Sequence, residues 1–172
     1  PHTKAMNFVP WLKPKVIDLS ADYRFKDSEE YEKVYNTPHK DKKTKAAYGL
    51  PELFKNKIKT AKVVANPGCY ATASILSSYP IQKLAKYIVF DCKSGYSGAG
   101  KSSIYFKDKE VIKENIHAYK LTKHRHKYEI SQFIKTKISF TPHVINAYQG
   151  LMCTAHIILK KEQDPEQIKN IF

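Results

Sequence analysis

The sequence predicts a mixed α+β domain, with a largely antiparallel sheet and helices on one face. Three observations predict it. Apolar runs of strand length occur at residues 62–65, 87–92, 138–145 and 151–159. Helical spacing of apolar residues occurs at 70–78 and 124–134. No internal repeat, low-complexity tract or linker interrupts the 172 residues, a length that suits one domain with a real core.

Residues 1–14 carry no clear periodicity. Lys15 to Ser20 reads as a strand running into the polar turn Ala21-Asp22-Tyr23-Arg24. Ser28, followed by Glu29 and Glu30, has the form of a helix N-cap with acids in the first turn. Residues 36–45 are polar and contain proline, hence a loop, and Tyr48 to Leu53 holds two breakers and reads as a turn. The helix from Tyr70 to Ser78 is expected to end before Pro80. Glu114 to Leu121 reads as extended. In the 124–134 helix Ile130, Phe133 and Ile134 share one face. Asp164-Pro165-Glu166 opens a last helix, with Asp164 as N-cap and proline at the first helical position.

Composition narrows the function classes. A hydrophobic content of 42% indicates a globular chain. No apolar run reaches membrane-spanning length and no leader pattern opens the chain, so no membrane partner is expected. Three cysteines without a CxxC pair suit a reducing compartment, and a cytoplasmic location is expected. The net charge of +14 raises nucleic-acid binding. But the cations are 28 lysines, scattered along the chain, and only two arginines. Arginine is the preferred residue for phosphate and base recognition. The lysines therefore read as solvated faces, with no nucleic-acid partner expected. Arg24 and Arg125 stand out as places where a planar, forked cation is required.

The chemistry centres on Val63 to Thr72. An apolar run stops at Asn66-Pro67-Gly68, Cys69 follows, and a helix-compatible segment begins. A thiol at a helix N-terminus meets unpaired N–H groups and the positive dipole end, which favour thiolate and nucleophilic attack. The same pattern also fits a small apolar residue at a strand end. Gly95 to Ser102 matches the letters of a phosphate loop, but Ser103-Ile104-Tyr105-Phe106 is poor helix material, so an ATPase is not favoured. A loop offering backbone N–H groups to another phosphate or acyl group, or a plain glycine turn, fits better. His117, His124 and His126 lie within ten residues of one another, yet His124-x-His126 is badly spaced for two ligands on one helix face, and no metal is expected. His126 and Glu129 stand at i and i+3, where the carboxylate orients an imidazole for acid–base work beside a thiol.

With these pieces in place, the chain resembles the N-acetyl-gamma-glutamyl-phosphate reductase family. The motifs, in family order, are Val16 to Phe25, Tyr48-Gly49-Leu50-Pro51-Glu52 and Ala65-Asn66-Pro67-Gly68-Cys69-Tyr70. Ser94 to Gly100, His117-Ala118-Tyr119, His124-Arg125-His126 with Glu129, and Phe140-Thr141-Pro142-His143 follow. The resemblance implies the catalytic domain of the glyceraldehyde-3-phosphate dehydrogenase-like fold. Residues 1–172 are then a single catalytic and dimerisation domain, with the flanking NADP-binding Rossmann segments absent from this chain. It implies an acyl-phosphate substrate and NADP(H), bound mainly by the missing domain. It implies a homodimer or homotetramer in arginine biosynthesis.

By family position, Cys69 is the nucleophile that forms a thioester. His126, oriented by Glu129, moves the proton, with His124 as the alternative. Arg24, Arg125, Ser20, Tyr48, Ser94, Gly95 and Tyr119 bind substrate, and Asn66, Ser97 and Gly98 face the cofactor. A sister reductase acting on a carrier-protein-linked aminoadipyl phosphate in lysine biosynthesis shares nearly every motif. Three departures stand out. Ala71 and Tyr128 replace frequent prolines, and Asn146 to Gly150 replaces a stretch that usually carries arginine.

Overall fold

A computed structural model describes residues 2–172. The chain forms two compact units that divide between Gly68 and Cys69. The division falls inside the Asn66-Pro67-Gly68-Cys69 motif, where no polar linker marks it. Each unit closes a sheet of its own on a core of its own.

In the first unit the elements are β1 (Val16–Asp18), α1 (Ser28–Tyr35), β2 (Ala46–Tyr48), α2 (Pro51–Thr60) and β3 (Val63–Ala65). The three strands make a parallel sheet in the order β1-β3-β2. All three residues of β3 are buried, as expected of a central parallel strand. Val63 and Ala65 pack with Met6, Val9, Ala21, Tyr23, Tyr31 and Tyr35. The N-cap of α1 is Asp27, one residue before the expected Ser28: the Asp27 carboxylate accepts the Glu29 N–H and Ser28 becomes the first helical residue. The α2 helix occupies a segment expected to be a turn. It buries none of its residues fully, so it shows no apolar stripe in the sequence, and Pro51 suits its first turn.

In the second unit come α3 (Cys69–Ser78), β4 (Ala85–Gly95), α4 (Ile104–Lys107), β5 (Ile116–Ala118), α5 (Arg125–Ser131), β6 (Lys137–Ile145), β7 (Leu151–Leu159) and α6 (Pro165–Lys169). The four strands pair in the order β5-β6-β4-β7. The sheet is mixed, as expected: β4 runs parallel to β6 and antiparallel to β7, and β5 is antiparallel to β6. Two of its three pairings are antiparallel, as expected, while the separate sheet of the first unit is wholly parallel, which the sequence does not announce. Pairing direction depends on which distant strands meet, and alternation within a strand does not encode that. Alternate residues of β4 and β6 (Ile88, Phe90 and Cys92; Ile138, Phe140 and Val144) are buried. Helix α3 packs on β4 and β7, and α5 packs on α3 and β6.

Candidate active site

Cys69 is the first residue of α3, and it is exposed. The strand–turn–helix order holds as the sequence predicts. The next residue, Tyr70, is buried and organises its surroundings. Its phenol donates to the His143 carbonyl of β6 at 3.0 Å. Burial raises its pKa, and Ser94 and Tyr119 lie near enough to contribute. Its ring meets those of His124, His126 and Phe140 edge-on, at 6.0, 5.8 and 5.6 Å between centroids. Helix α3 thus carries the thiol and, one residue on, the aromatic pivot of the histidine cluster. Tyr70 is the site residue to which the sequence assigned no role. The only signal for it was an aromatic residue directly after the cysteine.

The two histidines differ in environment. His124 is buried and caps α5, its Nδ1 accepting the His126 N–H at 3.3 Å. The proton of the neutral ring therefore sits on Nε2. Burial first, then the charges of His126, Lys120 and Arg125, lowers its pKa to about 3. His124 is neutral near pH 7 and serves as a helix cap. His126 is half-buried in the first turn of α5, its ring 4.9 Å from that of His124. Glu129, one turn further, is 1% exposed. Arg125 lies exposed at the first position of α5. The Tyr119 ring lies 5.5 Å from His124. Burial, with the nearby Cys69 adding to it and Tyr70 opposing, pushes the Tyr119 hydroxyl up to about 12. Tyr119 is therefore a neutral hydrogen-bonding group near the thiol. Among the described residues no group of three or more His, Cys, Asp or Glu side chains is placed to hold a metal ion.

The glycine-rich segment leaves β4 as a short helical turn, Tyr96–Ala99, and not as a phosphate loop opening a long helix. Backbone bonds tie it to residues 147–150: Gly95 N–H to the Gly150 carbonyl, Tyr96 N–H to Ala147 and Ser97 N–H to Tyr148, at 3.0, 2.9 and 2.9 Å. A Cβ on Gly95 would stand 2.7 Å from the Ala147 oxygen and from the Gln149 nitrogen and Cα. Glycine is required here by close approach of backbone. At Gly98 a Cβ would meet nothing nearer than the Ser94 hydroxyl at 3.7 Å, so that turn is open on its outer side.

In the first unit the expected site residues are engaged in structure. Arg24 is buried and donates from Nε to the Asn66 carbonyl at 2.8 Å and from a terminal nitrogen to the Leu19 carbonyl at 3.3 Å. The Ser20 hydroxyl donates to the Asp18 carboxylate at 2.8 Å and accepts the Asp22 N–H at 3.1 Å. Tyr48 is buried with its ring edge-on to Phe54. Asn66 is exposed, its amide donating to the Pro67 carbonyl at 3.2 Å. Arg24 thus braces the turn that presents Asn66.

An α+β chain with a helix-borne thiol beside a histidine cluster has the fold of the semialdehyde dehydrogenases. Aspartate semialdehyde dehydrogenase II from Vibrio cholerae superposes with a TM-score of 0.60 at 15% identity, over 91% of this chain and 52% of that one. The enzyme from Francisella tularensis superposes with a TM-score of 0.56 at 12% identity, over 90% of this chain and 54% of the other. Residues 69–172 match the family "Semialdehyde dehydrogenase, dimerisation domain", and the chain belongs to it. N-acetyl-gamma-glutamyl-phosphate reductases are similar throughout. Those of Methanococcus maripaludis and Archaeoglobus fulgidus are each 44% identical, over 184 and 182 aligned residues, and that of Methanocaldococcus jannaschii is 44% identical over 183. Each match takes in 100% of this chain and 54% of the relative, so the chain spans about half the length of the curated relatives it matches.

Proposed function

We propose that the full-length protein is an N-acetyl-gamma-glutamyl-phosphate reductase, converting the acyl phosphate to the semialdehyde and inorganic phosphate with NADPH. The observation that carries this reading is the exposed Cys69 at the start of α3, followed at once by the tyrosine that meets both histidines. The Cys69 thiolate attacks the acyl carbon, the C–O bond to phosphate breaks, and a thioester forms on sulfur. First-turn N–H groups of α3 point where the tetrahedral oxyanion develops. His126 moves the proton as the thiohemiacetal returns to thiolate and aldehyde, because His124 is spent as a neutral cap. Glu129 positions His126 from the same helix face. Arg125, exposed at the start of α5, is the cation for the leaving phosphate. Ser94 and Tyr119, close to Tyr70, hold the substrate side.

The cofactor supplies the hydride when bound. In the second unit the open outer side of Gly98 suits its nicotinamide end; in the first unit Asn66, exposed, is assigned to cofactor contact by family position. The parallel sheet of residues 2–68 lies outside the dimerisation-domain match. We assign it to the nucleotide-binding side of the protein, because parallel strands layered with helices are the architecture of such domains. The face of the second sheet away from α3 and α5 carries exposed Met152 and Ile158 and suits a second copy of the chain.

Replacing Cys69 by serine in the full-length enzyme tests the reading. Phosphate-dependent reduction of NADP with the semialdehyde is expected to fall by about three orders of magnitude or more. Turnover near that of the wild type would refute the assignment.

A further inference from the structure

Two thiols in the second unit take no part in the reaction above. Cys92 on β4 and Cys153 on β7 are direct partners in the antiparallel register, and both sit on the face covered by α3. Residues directly opposite in an antiparallel pair have Cα atoms about 4.5–5.5 Å apart. That interval lies within the separation a disulfide spans. Each thiol shifts the pKa of the other, as expected of neighbours on one face of the sheet. The Ser74 hydroxyl of α3 stands 3.4 Å from the Cys153 sulfur.

This arrangement makes the two sulfurs unequal. The neighbouring Cys92 and the Ser74 hydroxyl lower the pKa of Cys153 against the effect of burial. Cys153 and burial push the Cys92 thiol up. Cys153 is therefore the more acidic of the two. Access is unequal too. Cys92 is fully buried in a central strand. Cys153 is half-buried on β7, the outermost strand of the sheet. A small oxidant reaches Cys153 first and finds a second thiol directly behind it.

We propose that Cys92 and Cys153 form an oxidisable pair, a modification site separate from Cys69, which a hydroperoxide converts to a cross-strand disulfide. The Cys153 thiolate attacks the peroxide oxygen, the O–O bond breaks, and hydroxide leaves as Cys153 becomes sulfenic acid. The Cys92 sulfur then attacks the Cys153 sulfur, the S–O bond breaks, and water leaves with the Cys92 proton. Two thiols are oxidised and one hydrogen peroxide is reduced to two waters. The new bond would join β4 to β7 and take the Cys153 sulfur from Ser74 on the helix that carries Cys69.

The test uses the full-length protein and hydrogen peroxide. After treatment the protein is denatured with an alkylating agent, digested without reductant, and its cysteine peptides are weighed. A linked peptide joining Cys92 to Cys153 is expected, formed equally in a Cys69→Ser background and lost in Cys153→Ser. In untreated protein, alkylation of native Cys153 is expected to have a pH midpoint below that of an ordinary cysteine, moving up in Cys92→Ser. If Cys92 and Cys153 stay fully alkylatable at peroxide doses that oxidise Cys69, the proposal is wrong. It is equally wrong if Cys153 proceeds to sulfinic acid without linking. Because the primary readout is the wild-type protein, poor folding of a buried-cysteine variant leaves the test intact.

Discussion

The two units use buried polar side chains in opposite ways. In residues 2–68 they hold the backbone. Asp22, 1% exposed, accepts the Thr3 N–H at 2.7 Å, the Met6 N–H at 3.3 Å and the Tyr31 hydroxyl at 3.0 Å, and Arg24 donates to two main-chain carbonyls. In residues 69–172 one of them, Tyr70, donates to the His143 carbonyl and also turns its ring to His124 and His126, with the thiol of Cys69 next in the chain. The first unit spends polar groups on rigidity. The second concentrates them where a reacting group can enter. Composition treats the two alike, and only the identity of the bonding partner separates them.

Three substitutions would break or sharpen this contrast. The largest effect is expected at His126. His126→Gln in the full-length enzyme should lower kcat about 10²- to 10⁴-fold and flatten the pH–rate profile, with little change in thermal midpoint. A loss of stability with rate retained would place His126 with the structural group. Asp22→Ala should do the reverse, costing about 3 kcal/mol in denaturant unfolding because three buried donors lose their acceptor. Unchanged stability would mean the network of the first unit is ornamental.

The smallest effect is at His124, and it depends on pH. Its folded pKa of about 3 lies below the ordinary value of 6.5, so the unfolded chain takes up the proton first. Its contribution is fully present above pH 6.5 and is lost as pH falls towards 3. By about pH 5 the loss should be about 2 kcal/mol. His124→Asn keeps an N-cap acceptor and removes the titration. The slope between those pH values should then flatten, and urea unfolding at a series of pH values reads it directly. An unaltered slope would show that other groups govern acid stability.

What was legible in the sequence follows burial. Residues 63–65, 138–145 and 151–159 read as strands because strand geometry alternates exposure along them or buries them outright. Cys69 was placed on its helix because Asn66-Pro67-Gly68 can only interrupt and α3 begins at once. The α2 helix was missed because none of its residues is fully buried. The parallel pairing of β4 with β6 joins residues about 50 apart, and nothing local records it. His124 and His126 looked interchangeable two residues apart. Burial and the cap bond mark His124 as the neutral N-cap of α5. Arg24 was singled out by rarity, yet its partners are carbonyls, which carry no sequence signal.

Gly95 presses on Ala147 and Gln149 through main-chain atoms alone. The seat is blind to which side chains those two positions carry. Side chains at 147 and 149 can change without moving β4 or Ser94. Residues 146–149 are therefore a place where the surface can vary while the scaffold beneath stays constant, like interchangeable bits in one chuck.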